Sequence, residues 1–287
     1  MHYYQCFNWE QVHLWDLVSD EKMNIDSHVH REFEASYMID GEAEYVIEGN
    51  KFHLTSDSLL IIPSNLFHQW KFVPYKNRRH KSLHFPPEML DKTEQKTLKE
   101  MFKAPLLFSN RQRINFASFF KMLNDCKKLP ENLQKISVKT LVFSLLVQSH
   151  LLSLKEAEKP LVIDERIQKV AAYINDNLEK EITVEKLAYK FAVTKNYLST
   201  LFYKVMGVHL KKYITIKRLE FACQFIFNGS NLGEAAYKAG FGDYSTFFRA
   251  YKSVYNRTPS NLTIAPEDYI HNIIKGTGDP PTILIKL

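Results

Sequence analysis

Apolar and polar residues alternate in short runs early in the chain and later settle into three- and four-residue spacing. Between residues 27 and 73 the runs are strand-like. Val29-His30-Arg31-Glu32-Phe33-Glu34 leads through Ala35 to Asp40 and a turn at Gly41, and Glu44-Tyr45-Val46-Ile47-Glu48 ends at a second turn, Gly49-Asn50. Lys51-Phe52-His53-Leu54 and Ser58-Leu59-Leu60-Ile61-Ile62-Pro63 complete the set. Short strands punctuated by Gly, Asn and Asp predict a small antiparallel barrel or sandwich. From Pro86 the period becomes helical, over Pro87 to Phe102, Asn115 to Lys128 and Leu133 to Lys155. The charged stretch Lys155 to Pro160 reads as a linker, and Asp164 to Asn261 as helices joined by short turns. The expected fold is therefore α+β and multidomain. A barrel spans 1–86, a helical region 87–160 and an all-α domain 161–262; the tail 263–287 carries no assigned role.

Within the all-α domain, Thr183 is a good N-cap for a helix carrying Leu187 and Phe191 on one face, with Ala188 small enough for a close crossing. Ala192-Val193 turns into a second cap, Thr194, and a helix from Lys195 to Met206 that places Leu198, Leu201, Phe202 and Val205 inward before Gly207 ends it. Two short helices joined this way form a helix-turn-helix. The outer face of the second helix holds Lys195, Asn196, Ser199, Thr200, Tyr203 and Lys204, without an acid. Asn suits bidentate pairing to adenine, and Ser and Thr bond to several base edges. The pattern then repeats. Leu232 to Phe241 supplies the Ala-rich helix, and Gly240 can adopt a left-handed conformation. Asp243 caps a helix from Tyr244 to Tyr255, with Phe247 and Tyr251 inward and Tyr244, Ser245, Phe248, Arg249 and Lys252 outward. Between the units, His209 to Phe227 reads as one connecting helix.

Composition changes this picture little. Hydrophobic residues at 45% and charged residues at 24% are ordinary for a folded globular protein. No apolar stretch is expected to reach the roughly 20 residues of a membrane span. The first ten residues lack signal-peptide character, so a cytoplasmic location and no membrane partner are expected. Cys6, Cys126 and Cys223 are odd in number and widely spaced, which predicts reduced thiols. The net charge of +6 is unevenly placed: residues 1–70 are acidic, 71–160 strongly basic and 161–260 basic. A basic C-terminal third suits a phosphate-facing surface, although a solvated basic face has the same charge.

Residues 164–262 resemble the DNA-binding domain of the AraC/XylS family of transcription regulators. The match runs through Glu234-Ala235-Ala236-Tyr237-Lys238-Ala239-Gly240-Phe241-Gly242-Asp243, Phe247, Arg249, Tyr251-Lys252 and Thr258-Pro259. Leu187-Ala188, Tyr197-Leu198, Leu201-Phe202 and Gly207 match the first motif. The resemblance implies double-stranded promoter DNA as partner, read in two adjacent major-groove segments. By position it makes Asn196, Ser199, Thr200 and Tyr203 base-facing in the first unit and Tyr244, Ser245 and Arg249 in the second, with Lys204 and Lys252 near phosphates. It also implies a homodimer contact near 133–155, activation through RNA polymerase, and sugar utilisation as a common theme. Ala235, Tyr203 and Phe248 depart from the family pattern, and Phe248 can either touch a thymine methyl or pack on Tyr244.

In the barrel, His28, His30 and Glu34 share parity, so on a continuous strand they point to one face. With Pro63 to His68 they resemble both halves of the cupin signature, in which the matching residues bind a metal. Three readings stay open for His28, His30, Glu34 and His68. They are a small-molecule pocket, walled also by Tyr45, Trp70 and Arg79, a divalent-metal site, or a structural polar cluster. No cofactor is expected. No nucleophile–base constellation or phosphate-binding loop appears, so the chain is expected not to be an enzyme. The expected function is a small-molecule-controlled transcription regulator. The alternatives are a cupin metalloenzyme or metal-sensing domain fused to a DNA-binding domain, and a constitutive DNA-binding protein. An acidic barrel is also expected to touch the basic DNA-binding domain and hold it in one orientation.

Overall fold

A computed structural model describes residues 2–9, 12–19, 24–30, 32–72, 78–109, 115–156, 160–227, 229–255 and 258–259. The tail 263–287 and the centre of the expected linker, 157–159, lie outside the described residues. Nine strands come first: β1 (His2–Trp9), β2 (Val12–Ser19), β3 (Asn24–His28), β4 (Phe33–Asp40), β5 (Ala43–Ile47), β6 (Asn50–Leu54), β7 (Ser58–Ile62), β8 (His68–Phe72) and β9 (Arg78–Phe85). They are followed by α1 (Lys92–Met101), β10 (Leu106–Phe108), α2 (Phe116–Asp125), α3 (Glu131–Glu156) and β11 (Leu161–Val162). Six helices complete the described chain: α4 (Glu165–Asn175), α5 (Val184–Lys190), α6 (Lys195–Met206), α7 (Leu210–Phe227), α8 (Leu232–Lys238) and α9 (Tyr244–Tyr255).

The strands form two antiparallel sheets, ordered β1-β2-β9-β4-β7-β10 and β11-β6-β5-β8-β3. They are separate hydrogen-bonded units, so the barrel is not closed. Between them lie Met38, Ala43, Tyr45, Ile47, Phe52, Leu54, Leu60 and Ile62. The outer face of the first sheet carries Ala35, Tyr37, Leu59, Ile61, Leu83 and Phe85, which pack under α1, α2 and α3. β4 and β7 are thus covered on both faces, which is why Ser58–Ile62 reads as an unbroken apolar run rather than an alternating one.

Several expectations need correction. β1 and β2 were not anticipated, because no Gly or Pro marks the turn between them. The helix expected over 87–102 is a 3-10 turn at Pro87–Met89 followed by α1. Asp91 ends the turn and caps the helix, accepting from the backbone N–H of Thr93 and Glu94 while Glu94 reaches back. The β5–β6 turn is centred on Glu48-Gly49, not Gly49-Asn50, and both residues have positive φ, 47° and 77°. Finally, one segment, Glu131–Leu154, is long and apolar enough to cross a membrane. In the fold this helix packs on α2 and the sheet through Val138, Val142, Leu145 and Leu146. Interruption by Lys135, Ser137, Lys139 and Ser144 hides its apolar length from inspection of unbroken runs.

The two ends of the molecule meet. Val29 and Phe67 of the barrel share a core with α4, α5, α6 and α7. β11 pairs with β6, so the segment that opens the helical domain is hydrogen-bonded to the edge of a barrel sheet.

Candidate DNA-binding surface and barrel interior

The two helix-turn-helix units are built alike, atom for atom in their turns. In the first, Ala192 N–H donates to Tyr189 O and Val193 N–H to Ala188 O, with distances of 3.1 and 3.0 Å. In the second, Gly240 N–H donates to Tyr237 O and Phe241 N–H to Ala236 O, both at 3.0 Å. The turn needs a left-handed residue, and Gly240 (φ 81°) and Ala192 (φ 53°) occupy that position. Ala188 and Ala236 are buried at the helix crossings, while Tyr189 and Tyr237 stand outside at 90% and 78% exposure. Thr194 and Asp243 cap α6 and α9 through the backbone N–H of Tyr197 and Thr246.

Leu198, Phe202, Val205 and Met206 anchor α6, and Phe247 and Tyr251 anchor α9. On the outside of α6, Lys195, Asn196, Thr200, Tyr203 and Lys204 are exposed and Ser199 is half-buried. On α9, Tyr244, Ser245, Arg249 and Lys252 are exposed. Lys195 forms an ion pair with Glu185 of α5. The Tyr203 ring stacks on His209, with 4.5 Å between ring centres. Phe248 is half-buried against Tyr244, at 6.1 Å between ring centres. Arg166, at the start of α4, bonds the Tyr197 hydroxyl at 2.5 Å.

In the barrel, His28, His30 and Glu34 do not lie on one continuous strand. β3 ends at His28, β4 starts at Phe33, and a one-residue bulge separates Ile25 from His28 in the pairing with β8. They still converge: His28 pairs with His68 within one sheet and Glu34 pairs with His84 within the other, and the two pairs face each other. The Glu34 Oε2 atom lies 3.4 Å from His30 Nε2 and 3.3 Å from His68 Nε2, and all three side chains are almost wholly buried. Ser82 Oγ donates to Glu34 Oε1 at 3.2 Å and meets His84 Nε2 at 2.8 Å. Burial works to raise the Glu34 carboxyl, but the His30 and His68 rings hold it well below the usual range. Burial works against a charged His30, but Glu34 and Glu32 raise it. Two sets of donors lie close enough to hold one metal ion: His28, His30 and His68, and His30, Glu34 and His84.

A second polar tier sits deeper. Ser36 Oγ is 2.6 Å from the Tyr45 hydroxyl and 2.7 Å from His80 Nε2, and Trp70 stacks on Tyr45. Burial first, with Arg78 and Lys81 nearby, lowers the His80 ring to about 4. Tyr45 and Trp70 therefore belong to the interior, whereas Arg79 is exposed; its neighbour Arg78 is the fully buried one. Period-two counting assigns the two arginines opposite faces but does not say which is which.

The barrel meets the helical domain at Glu48. Its carboxylate accepts from Phe67 N–H at 3.0 Å, from Lys217 Nζ at 2.6 Å and from the Tyr213 hydroxyl at 2.5 Å. Lys217 Nζ also donates to Asn65 O at 2.7 Å, and the Phe67 and Tyr213 rings are 4.8 Å apart.

Comparison with known proteins finds the same two parts. A model of an AraC-like ligand-binding domain matches residues 20–146, and a helix-turn-helix domain model matches 187–263. The chain is 34% identical over 95 residues to the Transposon Tn10 TetD protein of Escherichia coli, covering 33% of this chain and 69% of that protein. The chain belongs to the AraC family of transcription regulators. A second relative, the lactose operon transcription activator of Staphylococcus xylosus, is 32% identical over 112 residues, covering 39% of this chain and 38% of that one. Among solved structures, ToxT of Vibrio cholerae aligns over 89% of this chain and 98% of its own at 12% identity and a TM-score of 0.39.

Sequence reasoning missed three features of this AraC-family chain. His84 lies outside the expected strands, and only its pairing with Glu34 brings it to the cluster. Ser82, two residues earlier on β9, is invisible for the same reason. Glu48 was read as the end of a strand. Its signal is a charged residue directly before the Gly of a two-residue hairpin, where Asn or Gly is favoured.

Proposed function

We propose that this chain is a sequence-specific transcription regulator, an activator, whose promoter binding is controlled by a small molecule held in the N-terminal barrel. The observation that carries this reading is the paired, acid-free outer face of α6 and α9, presented by two units with identical turn hydrogen bonding. In this reading Asn196, Ser199, Thr200, Tyr203, Tyr244, Ser245 and Arg249 face base edges, and Lys195, Lys204 and Lys252 lie near phosphates. The effector pocket is the tier of His28, His30, Glu34 and His68 with Tyr45 and Trp70 beneath it. The barrel is the sensing unit, the helices over 87–160 carry a dimer contact, and 161–262 is the DNA-binding unit. The chain acts on RNA polymerase rather than on a chemical substrate, and works in the cytoplasm.

Selection of bound sequences from a random duplex library, followed by gel shift, tests the reading. A defined site of two half-motifs one helical turn apart is expected. Arg249→Ala should cost about 1–3 kcal/mol and relax selection at one base pair. A wild-type chain that binds every duplex equally would overturn the reading. An equal loss over all sequences in the variant would make Arg249 a phosphate contact.

A further inference from the structure

The two recognition helices share a register set by their caps, not by their turns. The second unit has one residue more between the left-handed turn residue and the cap, Gly240 to Asp243 against Ala192 to Thr194. Counted from the turn, half-buried Ser199 would match Phe247, which is fully buried. Counted from the cap, Leu198 matches Phe247 and Phe202 matches Tyr251, and all four are buried. Only the cap register sets core positions against core positions. It also sets Asn196 against Ser245, Thr200 against Arg249 and Tyr203 against Lys252, all of them exposed. Ser199 then falls against Phe248, and both are half-buried. A position held by a hydroxyl in the first unit is held by an aromatic ring in the second. The core of the second unit draws Phe247, Ala250, Tyr251 and Val254 from α9 and leaves Phe248 out. Phe248 rests instead on Tyr244, one turn earlier, with 6.1 Å between ring centres and 51° between ring planes. Tyr244 is itself 43% exposed, so the pair lies on the outer face of the helix.

A single Phe at a protein surface is ordinary; its register with Ser199 is what distinguishes this one. Ser245 and Lys252 lie three and four residues away on the same helix face, and Arg249 is next in the chain. A phenyl ring carries no hydrogen-bonding group, so it serves neither a phosphate nor a polar base edge. The one apolar group that base pairs display in the major groove is the C5-methyl of thymine. We propose that Phe248, steadied by Tyr244, reads the methyl group of one thymine in the DNA segment contacted by α9. This rests on the regulatory reading above, in which α9 lies in the major groove. The two half-motifs then differ in kind. The first is read at this position through a hydroxyl that bonds to several base edges, the second through an apolar contact beside Arg249.

The test uses the full chain and the duplex it selects from the random library. Each thymine of that duplex is replaced in turn by deoxyuridine, which lacks only the methyl group. At one position wild-type binding should weaken about fourfold, the transfer value of one buried methyl group. Phe248→Ser, which copies the first unit, should bind the thymine and deoxyuridine duplexes equally at that position, and Phe248→Leu should keep most of the preference. With cytosine placed there, 5-methylcytosine should recover a similar factor for the wild type and nothing for Phe248→Ser. Each comparison is a ratio of two duplexes on one protein, so partial unfolding of a variant cancels. A selected site at which no methyl preference is lost in Phe248→Ser would overturn the inference and leave the regulatory reading standing. A wild-type chain that selects no sequence would overturn both.

Discussion

Ala192 and Gly240 perform the same task with different side chains. An L-residue other than Gly pays to occupy left-handed backbone, so Ala192→Gly should stabilise the domain by up to about 1 kcal/mol, read as a rise in urea midpoint. The same exchange in reverse is far worse. A Cβ at Gly240 would lie 2.1 Å from Leu178 O, a carbonyl that also accepts from Arg218 Nε. Gly240→Ala should therefore destabilise by more than the left-handed cost alone, and a midpoint at or above wild type would contradict the repeat of the turn. His80 offers a second residue-scale prediction. Its ring is held near 4 by burial, below its ordinary 6.5, so the unfolded chain takes up a proton that the folded chain refuses. Stability should fall as pH drops from about 6.5 towards 4, with a slope from this group of up to about 1.4 kcal/mol per pH unit. His80→Gln should flatten that slope in urea titrations at stepped pH. His84, lowered by burial to about 3, adds a similar contribution that persists in the variant.

At the scale of elements, the β5–β6 hairpin shows what a sequence discloses and what it conceals. Its alternation and Gly49 announce a turn. Nothing local says that Glu48 spends backbone strain to present a carboxylate to α7, since Tyr213 and Lys217 lie more than 160 residues away. Burial and the neighbouring Glu48 raise the Tyr213 hydroxyl well above its usual range, so it remains a donor. Glu48→Asn should keep the turn, which Asn accepts readily, and remove the clamp. Leaving Lys217 buried with the Asn65 carbonyl but without its carboxylate partner should cost about 3–5 kcal/mol of interdomain contact. Hydrogen exchange should report it as lost protection in α7 with β4 and β7 unchanged; unchanged α7 would contradict the clamp. The helix-turn-helix pair was legible because caps, small residues and turn residues act within about 25 residues of one another. The barrel cluster was only half legible. His28, His30 and Glu34 were found by a parity argument whose continuous strand does not exist, and they converge through cross-strand pairing instead. His84 and Ser82 enter by that pairing alone.

For the molecule as a whole, α3 is the element with apolar surface to spare. Leu133, Ile136, Leu151 and Leu154 stand exposed along it, Ile136 and Leu154 at 63% and 70%. A partner copy packed along these residues is the expected occupant. Sedimentation of the full chain should show a dimer at micromolar concentration, and Ile136→Glu with Leu151→Glu should yield a monomer; a monomeric wild type would contradict it. Such a pairing gives a further meaning to β11. With Leu161 and Val162 fastened to β6, the tether between α3 and the helical domain is short on each copy, and the two DNA-reading ends of a dimer cannot rotate freely about their connections. Reach and phase are then fixed together. A dimer tied in this way is expected to span two sites only when both lie on the same side of the duplex, so operator spacing should be counted in whole turns rather than in base pairs.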